Sequence, residues 1–246
     1  MADTQFSPGE DVVGRETLEL FAETDEFNKW LFQALSPYCS NNILEIGSGI
    51  GNISSFLIQN FAAVTLSDIR SDYFQTLHQK FDGNENLAGI CLVDLSTSKI
   101  EQDYPELLNK FDTIIASNVV EHIENDKLAI ENCFKMLKPG GRVVILVPAY
   151  NWLYNPFDKE LGHFRRYTKS TLSALIQSGG FSIIGEKYFN AMGMLGWLVS
   201  GSILRKKTLP ANQLSFYNKI VPLARLIDKI LFRSIGLSVI VAAEKK

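Results

Sequence analysis

The sequence is poor in cysteine, in excess positive charge and in long apolar runs. Its three cysteines, Cys39, Cys91 and Cys133, are far apart and include no CxxC pair, which predicts small buried thiols in a reducing compartment. Lysine and arginine total 24 against 27 aspartates and glutamates, a net charge of −3, so no basic field favours a nucleic-acid partner. No apolar run approaches the roughly 20 residues of a membrane span. We therefore expect no integral membrane contact.

Length and composition predict one compact domain of 246 residues. Hydrophobic residues make up 46% of the chain, enough to bury a sizeable core. Residues 1–16 are acidic and polar and lack the basic and apolar regions of an export signal. These features predict a cytoplasmic protein.

Seven apolar segments of strand length alternate with helical patterns. They cover residues 43–47, 63–68, 87–94, 111–120, 141–148, 181–189 and 237–245. Helical spacing joins Phe74, Leu77 and Phe81, and a further helix containing Leu137 is expected to end at the Lys-Pro-Gly-Gly segment 138–141. This order predicts a doubly wound, Rossmann-like α/β fold with a seven-stranded, mostly parallel sheet and helices on both faces.

The same patterns divide the domain into four parts. Residues 1–40 form an N-terminal helical cover, 41–189 the binding core, 190–236 a helical insertion and 237–246 the last strand. The insertion carries an amphipathic stretch. It is interpreted as a lid, a dimer contact or a membrane contact.

A glycine loop follows the first strand in the segment ILEIGSGIGN. Gly47, Gly49 and Gly51 allow close approach of the backbone to a ligand, whereas Asn52 stands where the nicotinamide fingerprint needs glycine. Three acids lie at predicted strand ends around this loop: Glu45, Asp68 and Asp94. They favour a cationic nucleoside without phosphate, which is S-adenosylmethionine, although the acids could instead cap the helices that follow.

Five ordered motifs resemble those of class I S-adenosylmethionine-dependent methyltransferases. They are ExGxGxG at 45–51, the acid at 68, VDL at 93–95, SNVVEHI at 117–123 and LKPGG at 137–141. The resemblance implies that the loop binds the methionyl portion, that Asp68 binds the ribose and that Asp94 with Leu95 lies at the adenine. The predicted cofactor residues are Glu45, Gly47, Ser48, Gly49, Gly51, Asn52, Asp68, Ile69, Asp94, Leu95, Asn118 and Val119.

The segment 148–170 is dense in aromatic and charged residues and resembles a bacterial methyltransferase subgroup with a GHxRRY pattern. Aromatic walls with a few polar groups suit a small-molecule pocket. His163 is the predicted general base and His122 the alternative base or pocket wall. The other predicted substrate residues are Trp30, Tyr150, Trp152, Tyr154, Asp158, Arg166 and Tyr167. Two alternatives stay open: the charged residues tie the loop down, and Trp30 belongs to the core.

The predicted function is methyl transfer from S-adenosylmethionine to O, N or C of a small organic acceptor, such as a secondary-metabolite intermediate. The alternatives are a lipid-linked or sugar precursor at the membrane surface, a non-catalytic cofactor-binding module, and a dehydrogenase as the rival chemistry. No HExxH motif, CxxC pair or acidic cluster is present, so no metal is expected. The chain is expected to be a monomer or homodimer, with peripheral membrane contact left open.

Overall fold

A computed structural model describes residues 12–204, 206 and 211–246. It contains one seven-stranded sheet. The strands are β1 (Asn42–Ile46), β2 (Ala63–Asp68), β3 (Leu87–Leu92), β4 (Phe111–Ser117), β5 (Leu137–Pro148), β6 (Phe181–Phe189) and β7 (Ser238–Lys245). Their order is β3-β2-β1-β4-β5-β7-β6, and β7 alone runs antiparallel to its neighbours. The predicted fold class is confirmed.

Ten α-helices flank this sheet in the described part of the chain. They are α1 (Val12–Ala22), α2 (Asp25–Leu35), α3 (Ser54–Asn60), α4 (Ser71–Phe81), α5 (Ile100–Asp103), α6 (Asp126–Met136), α7 (Pro156–Glu160), α8 (Lys169–Ser178), α9 (Ala191–Trp197) and α10 (Ala211–Ile230). A π-helical turn, Leu198–Ile203, extends α9. No helix in the described ranges combines the length and the apolar character needed to cross a membrane.

Alternate residues of the central strands enter two cores on opposite faces of the sheet. Leu44 and Ile114 join the core that α6 and α8 cover, whereas Ile43 and Ile115 join the core that α2, α3, α4 and α10 cover. Both faces are therefore buried. The open edge at the C-terminal ends of the parallel strands is where ligands bind in such sheets.

The structure corrects two details of the predicted elements. Leu137 is the first residue of β5 and not the end of the preceding helix, which stops at Met136. The backbone of Leu137 joins the sheet by pairing with Phe111 at the start of β4. Leu137 therefore already belongs to the strand, ahead of the Pro-Gly-Gly segment. β3 is only half-buried along its length because it is the edge strand of the sheet.

The insertion contributes to the core. Val221 and Ala224 of α10 are fully buried in the core beneath α2. The buried carboxylate of Asp228 accepts hydrogen bonds from the backbone N–H groups of Asn190 and Ala191, at 2.7 and 2.8 Å. These contacts join the insertion to the end of β6.

Candidate functional site

The loop after β1 is built on glycines in the left-handed backbone region. Gly47, Gly49 and Gly51 have φ values of +71°, +54° and +83°, which side chains with a Cβ rarely adopt. A Cβ on Gly51 would lie 2.5 Å from the Phe81 ring, and one on Gly47 would collide with Val119. The loop thus needs glycine both for its conformation and for its packing.

Glu45 supports this loop from beneath. Its carboxylate accepts hydrogen bonds from the hydroxyls of Ser48, at 2.9 Å, and Ser54. Burial raises the pKa of Glu45 to about 7, although both serine bonds favour the ionised form. Since its hydrogen bonds point to the loop and to the start of α3, Glu45 orders the loop from the core side.

Asp68 ends β2 directly beside the glycine loop. One carboxylate oxygen accepts from the backbone N–H of Gly49 at 2.9 Å, and the other accepts from that of Arg70 at 3.0 Å. The side chain is 6% exposed, and desolvation raises its pKa above the usual value. The next residue, Ile69, is exposed. A buried carboxylate therefore borders the loop at the open edge of the sheet.

Asp94 lies one strand further along the same edge. Its carboxylate accepts from the backbone N–H of Ser96 at 2.7 Å and from its hydroxyl at 2.6 Å, so it closes the turn that follows β3. Leu95 is buried in the core. The predicted alternative, a cap of the following helix, does not describe Asp94, because the N-cap of α5 is Lys99. A ligand would meet the backbone of Leu95 rather than its side chain.

The segment after β4 also borders the glycine loop. Asn118 is exposed with φ +54°, and its N–H donates to the Leu146 carbonyl at 2.8 Å. Val119 packs against Gly47, and His122 is exposed at the end of a short 3₁₀ turn. The predicted residues after β4 are therefore brought to the glycine loop.

The GHxRRY segment is tied down by a buried ionic network. Asp158, fully buried, accepts from Nδ1 of His163 at 2.8 Å and from Nε of Arg166 at 2.7 Å. Burial alone would raise the pKa of Asp158, but these two partners hold it below its usual value. Arg166 also donates to the Ala149 carbonyl and stacks on Trp197. This arrangement supports the alternative in which the charged residues hold the loop.

The network places His163 against His122. Their ring centroids are 4.7 Å apart in an edge-to-face arrangement. Desolvation and the neighbouring His163 lower the pKa of His122 below its usual value, so His122 is neutral near pH 7. Glu121 beside it is fully buried, and desolvation raises its pKa to about 8 despite the nearby Arg166. The two predicted bases thus form one cluster.

Comparison with known proteins identifies the family. Residues 10–186 match the model of a methyltransferase domain. A polyketide synthase-nonribosomal peptide synthetase of Pyricularia oryzae is 27% identical over 135 residues, which cover 53% of this chain but only 3% of that protein. The chain belongs to this methyltransferase domain family. The predicted family is confirmed.

Solved methyltransferases share the fold. Phosphoethanolamine N-methyltransferase 2 of Haemonchus contortus superposes with a TM-score of 0.63 at 15% identity, over 98% of this chain and 58% of that one. A methyltransferase of Archaeoglobus fulgidus, described as dependent on S-adenosylmethionine, gives 0.61 at 17% identity, over 93% and 99% of the two chains. The agreement extends over nearly the whole methyltransferase domain.

The predicted substrate residues fall into two groups. Trp152 and Tyr154 are exposed beside the GHxRRY segment, and Tyr150 stacks between Trp152 and Tyr188. The remaining four have their polar or aromatic groups occupied inside the protein: Trp30, Asp158, Arg166 and Tyr167. Direct contact of these four residues with a substrate stays a prediction. Their contacts inside the protein stabilise the fold.

Trp30 shows why the second group is held inside. Its ring is 7% exposed and packs 4.4 Å from that of Phe189, centroid to centroid. The Tyr167 hydroxyl donates to Asp126 at 2.8 Å. The core alternative for Trp30 is the one its packing supports.

The sequence patterns predicted a helical cover over residues 1–40 but did not place its first described helix, α1, on the glycine loop. A Cβ on Gly49 would lie 2.9 Å from a methyl group of Leu18 in α1, and Asn52 donates to the Leu18 carbonyl at 2.9 Å. Arg15 pairs with Asp72 of α4 at 3.4 Å. The spacing of Val13, Thr17 and Leu18 is the signal that could have shown this helix.

Proposed function

We propose that this chain transfers a methyl group from S-adenosylmethionine to an oxygen, nitrogen or carbon atom of a small organic acceptor. The observation that carries the proposal is the position of Asp68, whose buried carboxylate borders the glycine loop and bonds to Gly49. A carboxylate there suits the ribose hydroxyls of a nucleoside. Asn52 stands where the dinucleotide fingerprint needs glycine, and this departure favours S-adenosylmethionine over a dinucleotide.

The residues present fit this cofactor. Gly47, Gly49 and Gly51 present backbone without Cβ at the open edge of the sheet, and Asp68 keeps acceptor positions beyond the two that Gly49 and Arg70 occupy. When bound, the cofactor supplies an electrophilic methyl group on a sulfonium. The protein then contributes orientation of the acceptor and exclusion of water.

The acceptor is assigned to the side of the cleft that His122, His163 and the exposed aromatic residues Trp152 and Tyr154 border. His163 remains the predicted base: Asp158 holds its Nδ1, which leaves Nε2 as the remaining ring nitrogen. Such a base is needed only for an acceptor that stays protonated.

The polyketide synthase relative supports a secondary-metabolite acceptor. Localisation in the cytoplasm stays a prediction.

The first experiment separates this function from its rivals. S-adenosylhomocysteine at about 100 times its dissociation constant should raise the melting temperature by about 5–10 °C, whereas NAD should leave it unchanged. Incubation with methyl-labelled S-adenosylmethionine and a panel of phenol, amine and β-ketoester acceptors then tests turnover. Stabilisation by NAD alone would refute the proposal, and binding of S-adenosylhomocysteine without labelling of any acceptor would favour the non-catalytic module.

A second candidate acceptor is a lipid-linked or sugar precursor at a membrane surface. One helix carries both features that favour it: α10 exposes Phe216, Leu223 and Leu226 together with the basic Lys219 and Lys229. Exposed apolar side chains next to basic ones are typical of interfacial helices. Sedimentation with anionic phosphatidylserine vesicles tests this candidate, since the full chain should pellet with them and not with neutral vesicles. A chain that stays in the supernatant with both kinds of vesicle would exclude the membrane-surface acceptor. Sedimentation equilibrium without vesicles would distinguish a monomer from a homodimer.

A further inference from the structure

Three side chains with metal-binding atoms converge in the turn after β4 and the GHxRRY segment. Glu121 and His122 come from the 3₁₀ turn after β4, and His163 comes from the loop between α7 and α8. One nitrogen of each imidazole and one carboxylate oxygen of Glu121 lie within 4.8 Å of one another. Glu121 and His122 are adjacent in the sequence. His163 lies far along the chain, so no ligand spacing in the sequence indicates this cluster.

Glu121 is the unusual member of the cluster. Its side chain is fully buried, and neither carboxylate oxygen accepts a hydrogen bond from any residue that the structure describes. Arg166 lies near enough to interact with it electrostatically, but the hydrogen bonds of Arg166 go to Asp158 and to the Ala149 carbonyl. A buried carboxylate without a hydrogen-bonded partner is costly. A cation at this point would supply that partner.

His163 is oriented as metal ligands usually are. Its Nδ1 bonds to the buried carboxylate of Asp158 at 2.8 Å. A carboxylate on one ring nitrogen fixes the ring and leaves the other nitrogen for a metal. The His122 ring packs edge-to-face against this ring.

Backbone hydrogen bonds hold the two segments together. The N–H of Phe164 donates to the carbonyl of Glu121 at 2.9 Å, and that of His163 donates to the carbonyl of Asp158 at 2.9 Å. Ligand atoms on a common ion lie about 3–3.5 Å apart, since bonds to zinc are about 2.0–2.2 Å long. Because the three atoms lie within 4.8 Å of one another, binding an ion requires them to move closer by up to about 1–2 Å.

We propose that Glu121, His122 and His163 bind a divalent transition-metal ion of the Zn²⁺ and Mn²⁺ class. Two imidazoles and one carboxylate form a ligand set for such ions, and three protein ligands leave at least one coordination position open. The Glu121 and His163 side chains are 0% and 7% exposed, so the protein would largely enclose such an ion. An ion here would occupy the lone pair that a general base needs, so His163 acts either as ligand or as base. Metal binding does not rest on the proposed methyl transfer, because it is measured without cofactor or acceptor.

The experiment titrates the full chain, dialysed against EDTA and then against buffer, with Zn²⁺ and with Co²⁺. We expect one ion per chain by calorimetry and, for Co²⁺, visible absorption bands of nitrogen and oxygen ligation. Glu121→Gln and His163→Gln should each weaken binding by at least about 100-fold, since loss of a ligand costs more than loss of its hydrogen-bonded support. Glu124→Gln is the matched control, because Glu124 is exposed in the same segment. His78→Gln is a second control, because it removes an imidazole that belongs to the exposed His78–Asp82 pair and not to the proposed site.

Stability provides an independent readout if a variant is poorly soluble. EDTA should lower the melting temperature of the wild-type chain loaded with Zn²⁺ and leave that of Glu121→Gln unchanged. Equal metal affinity in the wild type, Glu121→Gln and His163→Gln would overturn the proposal, since the ion would then lie elsewhere. So would the absence of any Zn²⁺ or Co²⁺ binding. A higher melting temperature of Glu121→Gln would then show that the buried carboxylate destabilises the fold.

Discussion

Replacement of Asp68 tests the cofactor site most directly. Its two oxygens accept from the N–H groups of Gly49 and Arg70, at 2.9 and 3.0 Å, and an ionised carboxylate has about four acceptor positions. About two positions thus remain for ribose hydroxyls. A typical hydrogen bond contributes about 0.5–1.5 kcal/mol net of the bonds to water that it replaces, so two contribute about 1–3 kcal/mol. Asp68→Ala should therefore weaken binding of S-adenosylhomocysteine by about 10- to 100-fold, or about 1.4–2.8 kcal/mol.

A second substitution separates ligand binding from support of the loop. Asp68→Asn keeps one oxygen that can accept from Gly49 but replaces the other by a donor, so it should preserve the loop better than Asp68→Ala does while losing the charge. Asp82→Asn is the control, because Asp82 is exposed, follows α4 and bonds to His78. Calorimetric titration measures the dissociation constants, and far-ultraviolet circular dichroism checks the fold.

The result that would refute the reasoning is specific. If both Asp68→Ala and Asp68→Asn bind S-adenosylhomocysteine as tightly as Asp82→Asn does, Asp68 lies outside the cofactor site. If Asp68→Ala alone loses affinity, the carboxylate acts by holding Gly49, and the ribose assignment fails.

Three further predictions concern the loop, its support and the insertion. Gly49→Ala should weaken binding of S-adenosylhomocysteine by about 10-fold while circular dichroism stays native, because a Cβ at this left-handed position strains the loop by about 1–2 kcal/mol and displaces the Leu18 side chain of α1; Gly83→Ala, equally left-handed but in open space, should bind normally, and equal binding by both would contradict this. Burial raises the pKa of Glu45 from 4.5 to about 7, so the folded state keeps a proton that the unfolded state has released. The free energy of unfolding should then fall by up to about 3 kcal/mol from pH 4.5 to pH 7, and denaturant titrations should show this fall reduced in Glu45→Gln; an unchanged slope would remove Glu45 as its cause. Val221→Ala should destabilise the chain by about 2 kcal/mol, whereas Leu223→Ala, exposed on the same helix, should change stability by less than about 0.5 kcal/mol; equal effects would place α10 outside the core.

The sequence by itself determined the strands and the place of the glycine loop. Apolar runs mark the strands, and two of them, 63–68 and 181–189, coincide with β2 and β6. The glycine loop and the acid at position 68 adjoin strand ends, and parallel strands place such ends at one edge. Local pattern therefore sufficed for Gly49 and Asp68, which the structure joins by a hydrogen bond.

Only the tertiary structure decided which polar groups meet. In the sequence, Asp158, His163 and Arg166 fit surface charges as well as pocket residues. In the structure they form one network, because a buried charge needs a partner. The proximity of His163 to Glu121 and His122 depends on how the GHxRRY segment folds back on the turn after β4. No local periodicity encodes such a contact between distant segments, since it arises from packing and from the satisfaction of buried hydrogen bonds.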